Sequence, residues 1–400
     1  MKKTILLVAS IALLAGSCKK KSDDPTPEDP STPAVDQYAS QKQQVKETYA
    51  NIAFASYDDS YQGVVALKAA IYAFVATPTQ VNFDAAKAAW LASRESYGQS
   101  EVFRFAEGPI DNAADRPEGL INAWPMDEAF VDYVAGDPTS GIINNTTAFP
   151  TIDAATLIGE NENGGETNIS LGFHAIEFLL WGQDLSTTGP GARPYTDYVV
   201  GGTASNQVRR GQYLKVAADI LVDGLAHVRN QWDPAGTGNY YSEFLTMDNT
   251  VALRKMFSSM KALSGEELSQ ERMRTALENQ QSSGNGQEDE HSCFSDNTHR
   301  DIVLNAKGIQ NLYLGSYTRT NATVVTGYSL EDLMALYDVA KNTAVLNALT
   351  LSNTKIAAIQ IPFDQAIIND QADVAAAIAA LEDEALKIKD VAAAVGIELQ

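Results

Sequence analysis

The sequence predicts an all-α protein made of two helical-bundle domains of the four-helix type, packed side by side. Apolar residues recur at helical spacing through most of the 400-residue chain. No alternating strand pattern of useful length competes with them. Glycine and proline clusters separate the helical stretches, at 108–109, 136–138, 189–191 and 233–236.

Helices are expected, in chain order, at 35–56, 64–76, 83–105, 208–232, 249–280 and 298–317. The last helix shows a bundle seam with spacings of four and three, formed by Val374, Ile378, Leu381, Ala385, Ile388, Ala392 and Val395. We place the domain boundary at the final turn cluster. It divides an N-terminal bundle, 37–236, from a C-terminal bundle, 237–400, each with enough helices for a four-helix bundle.

The N-terminus has the pattern of a lipoprotein signal. Lys2 and Lys3 precede an apolar run at 5–14, too short for a membrane span, so residues 1–17 read as a removable signal peptide. Cys18 follows directly, and its place predicts lipidation, although a structural cysteine is the alternative. Residues 18–36 read as a disordered acidic and proline-rich tether. These features predict an exported lipoprotein, anchored through Cys18 in the membrane of a Gram-negative bacterium, and leave periplasmic or cell-surface display open.

Charge and cysteine content narrow the possible partners. The net charge is −22, and without the signal peptide 27 basic and 51 acidic residues leave −24. Such a chain repels nucleic acid and anionic lipid head groups, so no nucleic-acid partner is expected. With Cys18 assigned to the anchor, Cys293 has no intramolecular partner, and a disulfide framework is excluded.

His174 and Glu177 form the most informative pair in the chain. They lie three residues apart, on one face of a predicted helix, and the apolar run 178–181 follows. A buried imidazole and carboxylate are a candidate metal or proton-transfer site, and a purely structural hydrogen-bonded pair is the alternative. The order differs from His-Glu-x-x-His zinc helices, so further ligands must come from other segments.

The stretch Gly172-x-His174-x-x-Glu177 resembles the signature of the imelysin family of exported bacterial proteins. Similar stretches follow the family order at 94–101, 108–111, 122–125 and 291–299. The resemblance implies two helical bundles with the functional site between them. It also implies a role in iron uptake, with iron-transport proteins as possible partners. A founding member is described as an insulin-cleaving enzyme, which makes a metallopeptidase acting on exported or extracellular proteins the alternative.

A polar stripe interrupts one face of the helix predicted at 83–105. Its members are Phe83, Trp90, Arg94, Tyr97, Glu101 and Phe105. An aromatic stripe with arginine, tyrosine and glutamate at its middle indicates a lined cavity, because buried charges need partners. The alternative is an internal ion pair between Arg94 and Glu101 that closes a bundle.

The stretch 291–299, in the second half of the chain, is predicted to contribute ligands to the site around His174. Thr298 and Asp301 have the spacing of a capping box at a helix start. Asp296 and His299 are expected on or beside its first turn as ligands that dock against the His174 helix. His291 is expected to be solvent-exposed and Cys293 to be structural.

Together these patterns predict one metal site. Its predicted ligands are His174, Glu177, Glu101, Asp296 and His299, and its predicted lining residues are Arg94, Tyr97, Asp111, Trp124 and Ser295. Imidazole and carboxylate suit several transition metals; the resemblance favours iron and leaves zinc possible. A non-enzymatic metal-binding protein is preferred over a peptidase, because the motif lacks the second helical ligand of His-Glu zinc enzymes.

Overall fold

The computed structural model describes residues 36–186 and 188–399, and these are helical almost throughout. The all-α prediction is confirmed. A short antiparallel pair, β1 (Ser316–Thr318) and β2 (Val324–Thr326), is the sheet of the described part. None of the described helices is both long and apolar enough to cross a bilayer. The predicted signal peptide, Cys18 and all of the tether except residue 36 lie outside the described residues.

The described part of the first half of the chain contains eight helices: α1 (Ala39–Ala76), α2 (Gln80–Ser100), α3 (Pro117–Ile121), α4 (Glu128–Val131), α5 (Gly141–Asn144), α6 (Ala154–Glu160), α7 (Gly172–Trp181) and α8 (Gln207–Gln231). Short 3-10 turns follow α2 at Glu101–Phe103 and lie at Pro109–Asp111 and Tyr195–Tyr198. The helices predicted at 35–56 and 64–76 are one continuous helix, because the one glycine between them, Gly63, has no proline beside it and is tolerated within a helix.

The second half contributes α9 (Tyr240–Thr246), α10 (Asn249–Ala262), a π-helix (Leu263–Arg274), α11 (Thr275–Ser283), α12 (Thr298–Tyr313), α13 (Leu330–Tyr337), α14 (Val339–Ala358), α15 (Phe363–Asn369) and α16 (Gln371–Ala394). Further 3-10 turns lie at Gly286–Asp289 and Cys293–Ser295. The single helix predicted at 249–280 is thus α10, the π-helix and α11 in succession.

Helix packing brings the two halves of the sequence together at α12. Helix α1 packs against α2 and α8, while α16 packs against α14 and the π-helix. Helix α12 contacts both α2 and α14, so residues just before and within α12 meet the first-half helices. The domain boundary predicted at residue 236 stays a prediction.

Helix α7 is enclosed on all sides. All ten of its residues are buried, including His174 and Glu177. Gly172 begins the helix with a φ of +86°, and a Cβ there would lie 2.6 Å from the carbonyl oxygen of Ile121. Glycine is therefore needed for α7 to start directly against the end of α3. The two polar residues of the predicted pair, His174 and Glu177, therefore lie within the core.

Candidate functional site

The His174–Glu177 pair forms within α7 as its spacing predicts. His174 Nδ1 lies 3.1 Å from Glu177 Oε2, with both side chains fully buried. The other carboxyl oxygen, Glu177 Oε1, accepts hydrogen bonds from Ser295, at 3.0 Å from its backbone nitrogen and 2.6 Å from its hydroxyl. Ser295, a predicted lining residue, therefore ties the second-half segment to α7.

His291 completes a buried imidazole pair, which corrects the prediction of an exposed side chain. It is 3% exposed, and its Nε2 lies 3.3 Å from His174 Nε2. The two rings are nearly perpendicular, with centroids 4.5 Å apart. His291 Nδ1 lies 2.8 Å from Asp301 Oδ2. Each imidazole thus has a carboxyl group at Nδ1 and the other imidazole at Nε2.

Asp301 is a buried anion rather than a helix cap, so the capping-box prediction is wrong. Its Oδ1 accepts from Arg94 at 3.0 Å, and its Oδ2 accepts from the Ser292 hydroxyl at 2.5 Å. Thr298 is the first residue of α12, and its hydroxyl accepts from the backbone nitrogen of Ser292 instead of capping the helix. Close packing of α12 on α2 makes Asp301 the partner of Arg94.

Glu101 belongs to a different ion-pair network, so the alternative of an Arg94–Glu101 ion pair is wrong. Its Oε2 lies 2.7 Å from Arg272 Nη2 and 3.0 Å from Arg104 Nη1. Arg272 comes from the π-helix and also contacts Glu267 at 3.1 Å. Glu101 therefore does not join the His174 group, because α2 ends at Ser100 and the following 3-10 turn directs it to other arginines.

The remaining predicted residues divide between the site and its surroundings. Trp124 lies against His174, with ring centroids 4.9 Å apart. Tyr97 is buried beside Phe173, but its hydroxyl has no hydrogen-bond partner in the described chain. Asp111 accepts from the backbone nitrogen of Ala106 at 3.1 Å, near the end of the Glu101 turn.

Asp296 and His299 also lie outside the imidazole pair. His299 Nδ1 lies 3.1 Å from the carbonyl oxygen of Asp296, while the Asp296 carboxyl group hydrogen-bonds to Asp184. The structure thus brings together His174, Glu177, Ser295, Trp124 and Arg94 from the predicted set, adds His291 and Asp301, and places Glu101, Asp111, Asp296 and His299 elsewhere. The ligand roles predicted for Glu101, Asp296 and His299, and the lining role predicted for Asp111, stay predictions.

Burial determines which of the four central groups are charged. It lowers the pKa of His174 well below its usual value, with His291 and Arg94 adding to the effect. Burial and Arg272 lower the pKa of His291 to about 4. Burial raises the pKa of Glu177 to about 8, against the Ser295 hydrogen bonds, whereas Arg94 and His291 outweigh burial and lower the pKa of Asp301. At neutral pH both imidazoles are uncharged, Glu177 holds a proton and Asp301 is ionised.

These charges define two proton arrangements. With Glu177 protonated, its O–H donates to His174 Nδ1, His174 Nε2–H donates to His291 Nε2, and His291 Nδ1–H donates to Asp301. This assignment follows from the geometry and leaves all four groups paired. When Glu177 is ionised, His174 instead carries its proton on Nδ1, and the two Nε2 atoms, 3.3 Å apart, both lack a proton. In that second arrangement each Nε2 atom has a lone pair that can accept a hydrogen bond or bind a cation.

An acidic cleft of about 320 Å³ adjoins His291. Asn122, Trp124 and His291 are among its lining residues, and so are two arginines, Arg104 and Arg272. Its other charged lining residues are all carboxylates: Glu118, Glu162, Glu166, Glu267, Glu271 and Asp289. The excess of carboxylates attracts positively charged ligands toward the imidazole pair.

Two of the described side chains, His174 and His291, have the chemistry of transition-metal ligands. Within 36–186 and 188–399, no three or more His, Cys, Asp or Glu side chains are grouped as a ready ligand set. The two Nε2 atoms nevertheless fit as a pair, because two nitrogens bound at about 2.0–2.1 Å to a tetrahedral ion lie roughly 3.4 Å apart. Carboxyl groups at both Nδ1 atoms are the usual outer partners of histidine ligands.

The fold and the buried histidine–carboxylate pair define a helical protein of the Gly-x-His-x-x-Glu type. The chain belongs to the imelysin family, whose model, described as Peptidase_M75: Imelysin, matches residues 53–388. The resemblance proposed from the motifs is therefore confirmed. Proteins of this family are generally exported.

Two relatives carry the name iron-regulated protein A. The protein of that name from Synechococcus elongatus is 28% identical over 126 residues, which are 32% of this chain and 28% of that protein. The match therefore spans less than a third of the relative. A crystal structure assigned as an iron-regulated protein A precursor from Parabacteroides distasonis ATCC 8503 is 18% identical, with a TM-score of 0.72, and the match covers 90% of this chain and 97% of that one. This second likeness shows the shared all-α fold.

Proposed function

We propose that this imelysin is an exported, iron-related lipoprotein that binds a transition-metal ion as cargo between His174 and His291. Iron is the favoured ion, and zinc is possible. The observation that carries the proposal is the separation of 3.3 Å between the two buried Nε2 atoms. The site takes His174 and Glu177 from the sequence-based prediction and replaces the other predicted ligands with His291.

The residues around the pair have separate roles in this proposal. His174 and His291 donate Nε2, while Glu177 and Asp301 hold the Nδ1 protons and so direct the lone pairs inward. Arg94 keeps Asp301 ionised, and Trp124 covers one side of His174. Loading requires Glu177 to give up its proton, so it releases about one proton per ion at neutral pH.

Two protein donors leave part of the coordination sphere to other ligands. A transition metal takes about four to six donors, so water or a group carried with the ion must supply the rest. The adjoining cleft provides the space, and its carboxylates favour a cation over an anionic complex. The iron assignment draws on the names of the two relatives. A role in iron uptake implies a transport partner. Membrane attachment through Cys18 follows from the lipoprotein-signal pattern at the N-terminus.

Metal binding by matched variants tests the proposal. The chain is purified without chelator, and binding of Fe²⁺ under anaerobic conditions and of Zn²⁺ is measured by calorimetry and by the melting temperature. The wild-type protein should bind one ion and gain thermal stability, because the ion binds only the folded state. His174→Ala and His291→Ala should each abolish the gain.

His227→Ala is the control, since His227 is exposed and pairs only loosely with Asp115 at 3.6 Å. It should bind like the wild type. Circular dichroism establishes that each variant is folded. Unchanged binding in both site variants, or no binding by the wild type, would contradict the proposal. Metal-dependent peptide cleavage that disappears in His174→Ala would instead favour the metallopeptidase.

A further inference from the structure

A cleft of about 490 Å³ lies at the C-terminal end of α7. Its lining residues come from three segments, 133–135, 181–186 and 190–194, and many of them are apolar: Val134, Ala135, Trp181, Leu185, Pro190 and Pro194. In the described part of the chain, this cleft and the acidic cleft beside His291 share no lining residue. Its volume is typical of pockets that bind small organic molecules, roughly 300–1,000 Å³. We call it the Trp181 pocket.

One arginine of this lining has an unused hydrogen-bond donor. The Arg193 side chain is 1% exposed, and its Nε is buried without a hydrogen-bond partner among the described residues. Its Nη1 donates to Asp132 Oδ2 at 2.7 Å, and the same oxygen accepts from Arg210 Nε at 2.6 Å. Asp132 Oδ1 accepts from Arg210 and Asn144, so this carboxylate is fully occupied. A buried donor without an acceptor destabilises the fold, so a ligand oxygen that accepts from Arg193 Nε would bind favourably.

The surroundings of Arg193 fix its guanidinium group beside the pocket. The central guanidinium carbon lies 4.9 Å from the centroid of the Tyr133 ring and 5.2 Å from that of the Phe178 ring. Gly182, another lining residue, leaves the space next to Nε free of a side chain, because a Cβ there would lie 3.5 Å from Nε and 3.2 Å from Arg193 Cβ. The donor is therefore held in place before a ligand arrives, which lowers the entropic cost of binding.

The charged groups near the pocket favour a ligand with a negative charge. The Asp132 carboxylate is shared by two arginines, as described above. Lys87 adds another positive charge, with its Nζ 5.1 Å from the centroid of the Trp181 ring. Asp184 also lines the pocket, but its carboxyl group already accepts hydrogen bonds from a backbone nitrogen and from a glutamine. An arginine donor binds a carboxylate roughly twice as strongly as it binds a neutral acceptor.

We propose that the Trp181 pocket binds a small organic carboxylate with an apolar body. The carboxylate accepts from Arg193 Nε, and the apolar lining covers the rest of the molecule. Leu185 is 71% exposed in the free chain, so a ligand that covers it removes apolar surface from water. The site is separate from the imidazole pair, and the inference does not depend on the metal proposed there.

Binding of three related probes to the full chain tests the proposal. Phenylacetate has a carboxylate and an apolar ring, phenylacetamide has a similar shape without the charge, and acetate has the charge without the ring. Binding is measured at neutral pH by tryptophan fluorescence and by the NMR signal of the Arg193 Nε–H group in isotope-labelled protein. Phenylacetate should shift that signal and bind with a dissociation constant on the order of 1 mM or tighter, about tenfold more tightly than either of the others.

Two variants of the pocket and one matched control locate the binding. Arg193→Lys keeps a positive charge beside Asp132 but has no Nε–H, and it should weaken phenylacetate binding by about tenfold. Ala135→Trp fills the pocket from an exposed position and should abolish the binding without changing the core. Ala113→Trp should bind like the wild type, because Ala113 is equally exposed but lines a different cleft.

His174→Ala should also keep phenylacetate binding, which separates this result from failure of the imidazole site. Circular dichroism establishes that each variant is folded. If Arg193→Lys does not fold, the Nε–H signal of the wild type and the Ala135→Trp variant still decide the question. No saturable binding of phenylacetate by the wild type, or unchanged binding in Ala135→Trp, would overturn the proposal. Equal affinity for phenylacetate and phenylacetamide would overturn it as well, since the charge would then have no role.

Discussion

Replacing Glu384 with glutamine should stabilise the protein at alkaline pH and have little effect in acid. Glu384 lies on α16 and is 1% exposed. Ser352 donates to its Oε2, while its Oε1 has no hydrogen-bond partner among the described residues. Burial raises the pKa of Glu384 from 4.5 to about 7. The folded protein therefore holds a proton there that the unfolded chain releases at lower pH.

The shift sets the size of the effect. As pH rises from about 4.5 to about 7, the unfolded chain ionises Glu384 first, so the free energy of unfolding falls. One pKa unit corresponds to about 1.4 kcal/mol, so the total loss is roughly 3 kcal/mol and is complete above pH 7. Glutamine has a similar shape and no charge. Glu384→Gln should therefore be more stable than the wild type by up to roughly 3 kcal/mol at pH 8 and nearly equal to it at pH 4.5.

Urea denaturation at pH 4.5, 6, 7 and 8 measures the difference. The control is Glu398→Gln, which changes an exposed glutamate near the C-terminus and should shift stability little at any of these values. A Glu384→Gln variant that is less stable than the wild type at pH 8, or a difference that does not grow with pH, would refute the assignment of a neutral buried carboxyl group.

Asp301→Asn should lower the free energy of unfolding by about 3–5 kcal/mol, because it leaves the buried Arg94 without its anion. In the matched control on the same helix, Arg300→Gln breaks the partly exposed pair with Glu95 and should cost at most about 1 kcal/mol in urea denaturation; equal losses would contradict the distinction. Cys18→Ala should abolish palmitate labelling and membrane partition of the protein expressed in a Gram-negative host. Equal labelling of both proteins would exclude the predicted anchor.

The sequence predicted the helices well, because their apolar residues recur with one period over long stretches. The seam of α16 illustrates this, since Val374, Ile378, Leu381 and Ile388 are all buried where the pattern places them. Helix ends were less predictable. One helix was predicted at 83–105, but α2 ends at Ser100 and a 3-10 turn follows. Glu101, in that turn, pairs with Arg104 nearby and with Arg272 from the second half of the chain, and the second partner could not be predicted locally.

The site was predicted only in part, because its partners lie far apart in sequence. The i, i+3 spacing was sufficient to join His174 and Glu177. His291 was missed, since its environment depends on α7, 117 residues away. Asp301 was predicted to be part of a helix cap because it follows Thr298 at capping-box spacing. In the structure its carboxylate instead pairs with Arg94 from α2. The polar stripe did contain a useful signal. Arg94 was expected to be buried there, and a buried arginine requires an anion from another helix.

The π-helix Leu263–Arg274 makes the chain unusually sensitive to its length at this point. Hydrogen bonds that span five residues instead of four give each turn roughly one residue more than an α-helix has. That wider winding places Glu267 and Arg272, five apart in sequence, 3.1 Å from each other, and both residues line the cleft. Loss of a single residue here would restore ordinary winding and rotate Arg272 away from Glu101. Insertions and deletions, which loops accept freely, are therefore constrained inside this helix as strictly as substitutions are in a core.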